Sequence, residues 1–225
     1  MVQKITKSKL ELPVWDIKGQ EIERYVLSKK CFAAYAKPEL LAQAVRVYLA
    51  NQRKAWPKTK TRGEIRGSRR KIWSQKGTGR ARHGDYYAPI FVGGGRAHGP
   101  TGNQSYQLNF PRKMRNKALL GALSEKAENE KIKLVTGLKN LKPKTKEAEM
   151  ALTKIVGKDF GKNSKYLLVL LANEELTKRA FSNLPYVKTI LVENLNSYFV
   201  LNSDLIIFTK DALEKLENRF KKNEK

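Results

Sequence analysis

The chain has 225 residues, 40% of them hydrophobic, and a formal charge of +25 from 46 Lys and Arg against 21 Asp and Glu. Length and apolar content permit a buried core, whereas a pI near 10.1 favours a polyanionic partner over a neutral or cationic one, nucleic acid before anionic membrane. The single cysteine, Cys31, excludes an internal disulfide framework, and no run of 18 apolar residues predicts a membrane span.

In chain order, the opening MVQKITKSKLELPVW carries no apolar run of the secretory type, so a cytoplasmic protein is expected. Helical spacing begins at KPELLAQAVRVYLANQ, where Leu40, Leu41, Ala44, Val45, Val47 and Tyr48 share a face and Pro38 suits a first turn. After a long aperiodic segment a second helix is predicted over RKMRNKALLGALSEKA, with an apolar stripe of Met114, Ala118, Leu119, Ala122 and Leu123. The period then switches repeatedly. Strand-like KIKLVTG (131–137) precedes helical TKEAEMALTKIV (145–156), and apolar YLLVLL (166–171) precedes helical NEELTKRAFSNL (173–184). VKTILVEN (187–194) and DLIIF (204–208) follow, before a last helix in TKDALEKLENRF. Short apolar runs alternating with amphipathic helices predict an α/β fold with a buried, largely parallel sheet. Asn173 and Thr209 are placed to act as N-caps, with Glu174, Glu175 and Asp211 in the positive first turns. The terminal KKNEK reads as a solvated end.

The segment between the first two helices differs in kind. Residues 53–117 carry seventeen Lys and Arg against Glu64 and Asp85 alone, and ten of the fifteen glycines lie between Gly63 and Gly102. About sixty residues without period are uncommon inside a compact domain unless they are functional or disordered. With convincing helices on both flanks, a single α/β domain spanning 1–225 is expected to be interrupted by an extended basic loop over 53–112. A globule of the remaining residues has a radius of gyration of ~15 Å, whereas thirty residues out and thirty back reach up to ~100 Å. Between Arg53 and Arg82 twelve cations face Glu64, interleaved with Trp56 and Trp73 and followed by Tyr86, Tyr87 and Phe91. Cations neutralise phosphates, aromatics stack on unpaired bases, and glycines let backbone amides approach phosphate oxygens, a mixture suited to irregular RNA. The bland alternative is a disordered basic strip without specific binding.

Other constellations carry less. His83 and His98 are fifteen residues apart with only Cys31 besides, too sparse for zinc, so no metal is expected. His83 and Asp85 form a base and carboxylate pair without a nucleophile motif. A nucleotide-dependent, RNA-modifying enzyme is the rival reading, because parallel sheets hold nucleotides at their strand ends. Its fingerprints are missing: GGGRAHG and GTGRARHG do not give G-x-G-x-x-G, and GKD and GKN lack a surrounding P-loop. A membrane-surface role fails because the basic strip has no amphipathic moment. No cofactor is expected.

The strings KTRGEIRGSRRKIWSQKGTGRARHG, APIFVGGGRAHGP and FPRKMRNKALLGALSEK together resemble the bacterial large-subunit ribosomal protein four, the universal "L-four" family, and KGTGRAR is the specific core of the match. The similarity of organisation covers nearly the whole chain. It implies a three-layer α/β/α globular domain, a structural and non-catalytic role in the large subunit, and an arm that penetrates the ribosomal RNA. Carried over residue by residue, Lys58, Lys60, Arg62, Arg66, Arg69, Arg70 and Lys71 line one limb, Trp73 lies near the tip, and Arg82 continues the RNA contacts. Gly93, Gly94, Gly95 and Arg96 serve the return limb. Gln75, Lys76, Gly77, Thr78, Gly79 and Arg80 form the tip at the constriction of the nascent-peptide exit tunnel. Implied partners are large-subunit ribosomal RNA, neighbouring large-subunit proteins and, at the tip, the nascent peptide. Two positions depart from the pattern: Ser74 stands where relatives carry arginine, and Ile72 where proline is usual. His98 is assigned no role.

Overall fold

A computed structural model describes residues 10–157, 160–161 and 163–222. Residues 1–9 of the opening segment, 158–159 and 162 within GKD and GKN, and 223–225 of KKNEK lie outside the described residues. The chain divides into two compact units, one of residues 1–48 and 109–225 and one of residues 49–108.

The first unit is built on a six-stranded sheet. Strand β1 (Glu11–Trp15) turns through a glycine at positive φ, Gly19, into β2 (Glu21–Val26), which pairs with it antiparallel. The turn lies so close to a helix further along that a Cβ on Gly19 would meet the Lys154 carbonyl oxygen at 2.8 Å, which only glycine accommodates. A four-residue helix, α1 (Lys29–Phe32), buries Cys31 and Phe32. Helices α2 (Pro38–Gln52) and α3 (Arg112–Glu128) flank the basic segment, and Ala44, Val47, Phe110 and Ala118 form a small cluster between them.

From β3 onward the chain alternates: β3 (Ile132–Val135), α4 (Thr145–Val156), β4 (Tyr166–Leu170), α5 (Glu175–Phe181), β5 (Val187–Leu191), α6 (Ser197–Asn202), β6 (Leu205–Thr209) and α7 (Lys210–Lys222). The strand order is β2-β1-β3-β6-β4-β5, parallel everywhere except between β1 and β2. The sheet therefore is largely parallel, as the alternation predicts.

Side-chain alternation feeds two cores. Leu12, Val14, Leu134, Leu167, Val169, Ile206 and Phe208 point to one side, under α3, α6 and α7. Tyr166, Leu168, Leu170, Val135 and Ile207 point to the other, under α4 and α5. Helices on both faces make a three-layer α/β/α unit, and this explains why all five residues of β4 are buried. Each fully buried Leu, Ile or Phe contributes about 1.5–3 kcal/mol of transfer free energy.

One cap assignment is corrected and the other holds in position. Helix α5 begins at Glu175 with Glu174 in the cap position, so Asn173 stands one residue too early. Thr209 precedes α7 directly, as expected, and its hydroxyl donates to Glu174 Oε2 at 3.3 Å. The Glu174 carboxylate is buried because it also accepts the Leu171 N–H at 2.9 Å, closing the loop that follows β4. Asn196 makes a side-chain N-cap: its Oδ1 accepts the Phe199 N–H at 3.1 Å at the start of α6.

Candidate nucleic-acid interface

The second unit, residues 49–108, contains no helix or strand of its own beyond the last turn of α2. Its order comes from ties between an outgoing and a returning limb. At the base, Asn51 makes a two-way clasp with Leu108: the Leu108 N–H donates to Asn51 Oδ1 at 2.8 Å and Asn51 Nδ2 donates to the Leu108 carbonyl at 3.2 Å. The Arg53 guanidinium lies 4.0 Å above the Tyr106 ring, a cation–π contact. Further out, Lys58 bridges Thr101, the Thr59 N–H donates to the Pro100 carbonyl at 2.9 Å, and the Arg96 N–H donates to the Lys60 carbonyl at 2.9 Å. Near the far end, the Ile72 N–H donates to the Gly84 carbonyl at 2.9 Å, Lys71 Nζ to the His83 carbonyl at 3.1 Å, and Trp73 Nε1 to the Ala81 carbonyl at 3.1 Å.

These ties leave Ser74 to Arg80 as the reversal between the limbs. Ser74 Oγ donates to the Lys76 carbonyl at 3.0 Å, and Gly77 and Gly79 take positive φ of 86° and 63° with nothing within 4 Å of either Cβ position. Conformation, rather than crowding, selects glycine here. Crowding selects it on the return limb: a Cβ on Gly95 would stand 2.3 Å from the Arg62 nitrogen and one on Gly94 2.1 Å from the Ala88 carbonyl oxygen. Both departures from the family pattern acquire a physical reading. Ile72 supplies an N–H that proline lacks, and Ser74 supplies the hydroxyl that closes the reversal.

The electrostatics are one-sided. Thirteen Lys and Arg lie between Arg53 and Arg96, and both acids are already paired. Lys58 Nζ is 3.3 Å from Glu64, whose carboxylate also accepts the Thr61 N–H at 2.9 Å; that backbone donor first, then the lysine, holds its carboxyl below the usual range. Arg62 Nη2 is 3.1 Å from Asp85. Lys58, Lys60, Arg62, Arg66, Arg69, Arg70, Lys71, Arg82 and Arg96 are all exposed, as are Gln75, Lys76, Gly77, Thr78, Gly79 and Arg80.

The remaining expected site residues are placed differently. Trp73 is half-buried, with Arg80 5.8 Å from its ring centroid and His83 edge-on at 5.4 Å. Gly93 is exposed, Gly94 half-buried and Gly95 buried, so the glycine triplet serves packing of the limbs as well as exposure. Of the aromatics considered for stacking, Tyr87 is buried and Phe91 packs on His83 at 5.0 Å, whereas Trp56 and Tyr86 are exposed. His83 sits between Trp73 and Phe91 while Asp85 faces Arg62, so the two do not assemble a catalytic dyad. Two exposed aliphatics four and six residues after Tyr86, namely Ile90 and Val92, were not legible as a feature before the fold of this unit was known.

Elsewhere, a cavity of about 260 Å³ beyond the ends of β3 and β4 is lined by Lys139, Ala172, Asn173, Glu174, Glu175, Leu176 and Thr177. Lys139 spans Asp211 and, at 3.9 Å, Glu174. No group of three potential metal ligands is gathered among the described residues, and no described helix is long and apolar enough to cross a membrane.

Residues 25–219 match the family model described as ribosomal protein L4/L1 family. The chain is 39% identical over 207 residues to the large ribosomal subunit protein uL4 of Alkaliphilus metalliredigens, covering 92% of this chain and 97% of that one. It is 43% identical over 186 residues to a protein of the same description from Thermus thermophilus, covering 83% and 88%. With that of Carboxydothermus hydrogenoformans it shares 36% identity over 210 residues, covering 93% and 99%. These relatives are ribosomal proteins and not enzymes, which sets aside the nucleotide-dependent alternative. Fold, basic arm and near full-length identity converge: this chain belongs to the ribosomal protein L4/L1 family and is a structural protein of the large ribosomal subunit.

Proposed function

We propose that the protein binds large-subunit ribosomal RNA through the arm expected over 53–112, supports assembly of the subunit, and lines the nascent-peptide exit tunnel with Gln75, Lys76, Gly77, Thr78, Gly79 and Arg80. The observation that carries this reading is the arm itself: a two-limbed segment whose cations are exposed and whose acids are both paired, closed by a reversal with open glycines. Such a surface neutralises phosphates where RNA segments converge, and its narrow end presents Lys76 and Arg80 to an aqueous passage. Neighbouring large-subunit proteins complete the set of partners. The role is geometric and electrostatic, without a chemical step.

A titration of the purified protein on large-subunit RNA tests it. If six to ten arm cations meet phosphates, raising salt from about 50 to 200 mM weakens binding by roughly 10³ to 10⁵ through counterion release. A flat salt response, or a backbone footprint without protected RNA, refutes the reading.

A further inference from the structure

Between Arg82 and Arg96 the arm carries no cation, and Asp85 is its one acid. Within this gap the chain makes a compact double turn: the Phe91 N–H donates to the Ala88 carbonyl at 3.1 Å, the Gly94 N–H to the Phe91 carbonyl at 3.0 Å, and the Gly95 N–H to the Tyr87 carbonyl at 2.9 Å. The turn sorts its apolar side chains sharply. Tyr87 is buried, and Phe91 tucks against His83 and Tyr86 at 5.0 and 5.5 Å. Tyr86 and Ile90 are left 63% and 70% exposed, and Val92 fully so. A flexible Gly-rich loop has no reason to bury one aromatic ring and half-bury a second while turning three large apolar groups into water.

The surroundings of this knob are cationic despite its own neutrality. The limb ties bring Lys60 beside Arg96 and set Gly95 against the Arg62 backbone, and Arg62 is joined to Asp85 next to Tyr86. The pattern is an uncharged projection rimmed by Lys60, Arg62 and Arg96. A phosphate backbone satisfies the rim, and the projection then meets what lies between phosphates, namely ribose and base faces. Ile and similar apolar side chains enter unstacked base steps as wedges, and a tyrosine ring stacks on any base. A purely apolar protein partner would leave the cationic rim without a counterpart.

We propose that Tyr86, Ile90 and Val92 form an apolar wedge that inserts among unstacked bases of the RNA bound by the arm. The inference rests on the RNA-binding reading above, and the test separates the two. Full-length Ile90→Ser/Val92→Ser protein and its parent are titrated with large-subunit ribosomal RNA between about 50 and 200 mM salt. The wedge predicts binding weaker by about tenfold at every salt with an unchanged salt slope, since a lost stacking contact releases no counterions. Lys60→Ala/Arg96→Ala gives the converse, a slope shallower by about 1.4 to 1.8. Val92→Trp, which adds a flat ring, binds at least as tightly as the parent. A photoreactive residue at position 92 crosslinks to RNA in assembled subunits. If the serine variant binds like a parent that retains its steep salt dependence, the wedge is wrong and RNA binding stands. If the crosslink goes to a neighbouring protein, the patch faces protein and the wedge is again wrong. A salt-insensitive parent overturns both readings together.

Discussion

The two units of this chain are ordered by opposite means. In the sheet-bearing unit every residue of β4 is withdrawn from water and two apolar cores flank the sheet, whereas among residues 49–108 only Tyr87 and Gly95 are buried. The first unit offsets conformational entropy by burial; the second does so with a short series of limb-to-limb hydrogen bonds, ring contacts and two ion pairs. The contrast separates stability from recognition. Substitutions in the cores are expected to alter folding and leave the arm's charge untouched, and substitutions in the arm are expected to alter the proposed interaction with RNA and leave the cores untouched.

The sharpest way to break this division is to open a cavity under the sheet. Phe208 lies on β6 with no exposure, packed among residues from both neighbouring strands and α7. Phe208→Ala is expected to cost about 3–5 kcal/mol in denaturant unfolding, with the salt slope of RNA binding unchanged at temperatures where the variant remains folded. A slope that falls with stability would show that the two units act as one. Glu217 gives a smaller effect of the same sign. Its buried carboxylate on α7 accepts the Ser28 N–H at 2.8 Å and the Tyr25 hydroxyl at 3.2 Å, tying β2 and the start of α1 to the last helix. Glu217→Ala strands both donors and is expected to cost about 2 kcal/mol, whereas Glu217→Gln keeps an acceptor and loses less.

The same corner sets an alkaline limit. Burial first, then the Glu217 charge, pushes the Cys31 thiol from 9.0 up to about 11, and burial followed by Glu217 pushes the Tyr25 phenol from 10.0 up to about 12. Both groups hold their protons more tightly in the folded state. Their contribution is therefore fully present below about pH 9 and is lost as pH rises through 11 to 12. Thermal unfolding followed from about pH 8 upward is expected to show falling stability over that range, and Cys31→Ala removes the thiol's share of the fall. An alkaline profile identical in Cys31→Ala and parent would show that the thiol titrates normally.

How much of this was legible beforehand follows the same division. Helix α4 coincides with the predicted TKEAEMALTKIV because its buried residues, Ala148, Ala151, Leu152, Ile155 and Val156, recur at helical spacing. The parallel strands are legible as apolar runs because both their faces are covered. The β1–β2 hairpin was missed for the complementary reason: β2 is an edge strand with Ile22 and Val26 exposed, so burial imposes no alternation on EIERYV. The cap at Asn196 did carry a signal, a polar pair directly before YFVL, whereas Asn173 was misplaced because Glu174 takes the cap position and its carboxylate bonds to Leu171 and Thr209. In the arm, charge and glycine content marked the segment and its reversal. Limb pairing was invisible, because several of its ties join backbone groups on both limbs and others aim a side chain at a backbone group that every residue possesses.

The smallest expected effect on folding belongs to the residues farthest along the arm. Removing residues 72–84 and joining the limbs by a short Gly-Ser link deletes no buried residue, for Ile72, Trp73 and His83 are only half-buried and the rest are exposed. Of the cross-limb ties lost with them, Ile72 to Gly84 and Trp73 to Ala81 lie wholly inside the deleted stretch, while Lys71 loses its exposed bond to the His83 carbonyl and Phe91 its contact with the His83 ring, both within the arm. Closure entropy changes only with the logarithm of loop length, so the unfolding transition of the sheet-bearing unit should move by less than ~0.6 kcal/mol. Recognition should change visibly. Lys76, Arg80 and Arg82 leave with the tip, and if all three meet phosphates the salt slope becomes shallower by about 2.1 to 2.7. Subunits assembled with the shortened chain should show a wider tunnel constriction, and Lys76→Glu should alter the same place without a change in unfolding. A shortened chain whose cores melt early would tie the tip to the stability of the fold. Tunnel density identical to the parent's would place Gln75 to Arg80 somewhere other than the tunnel wall.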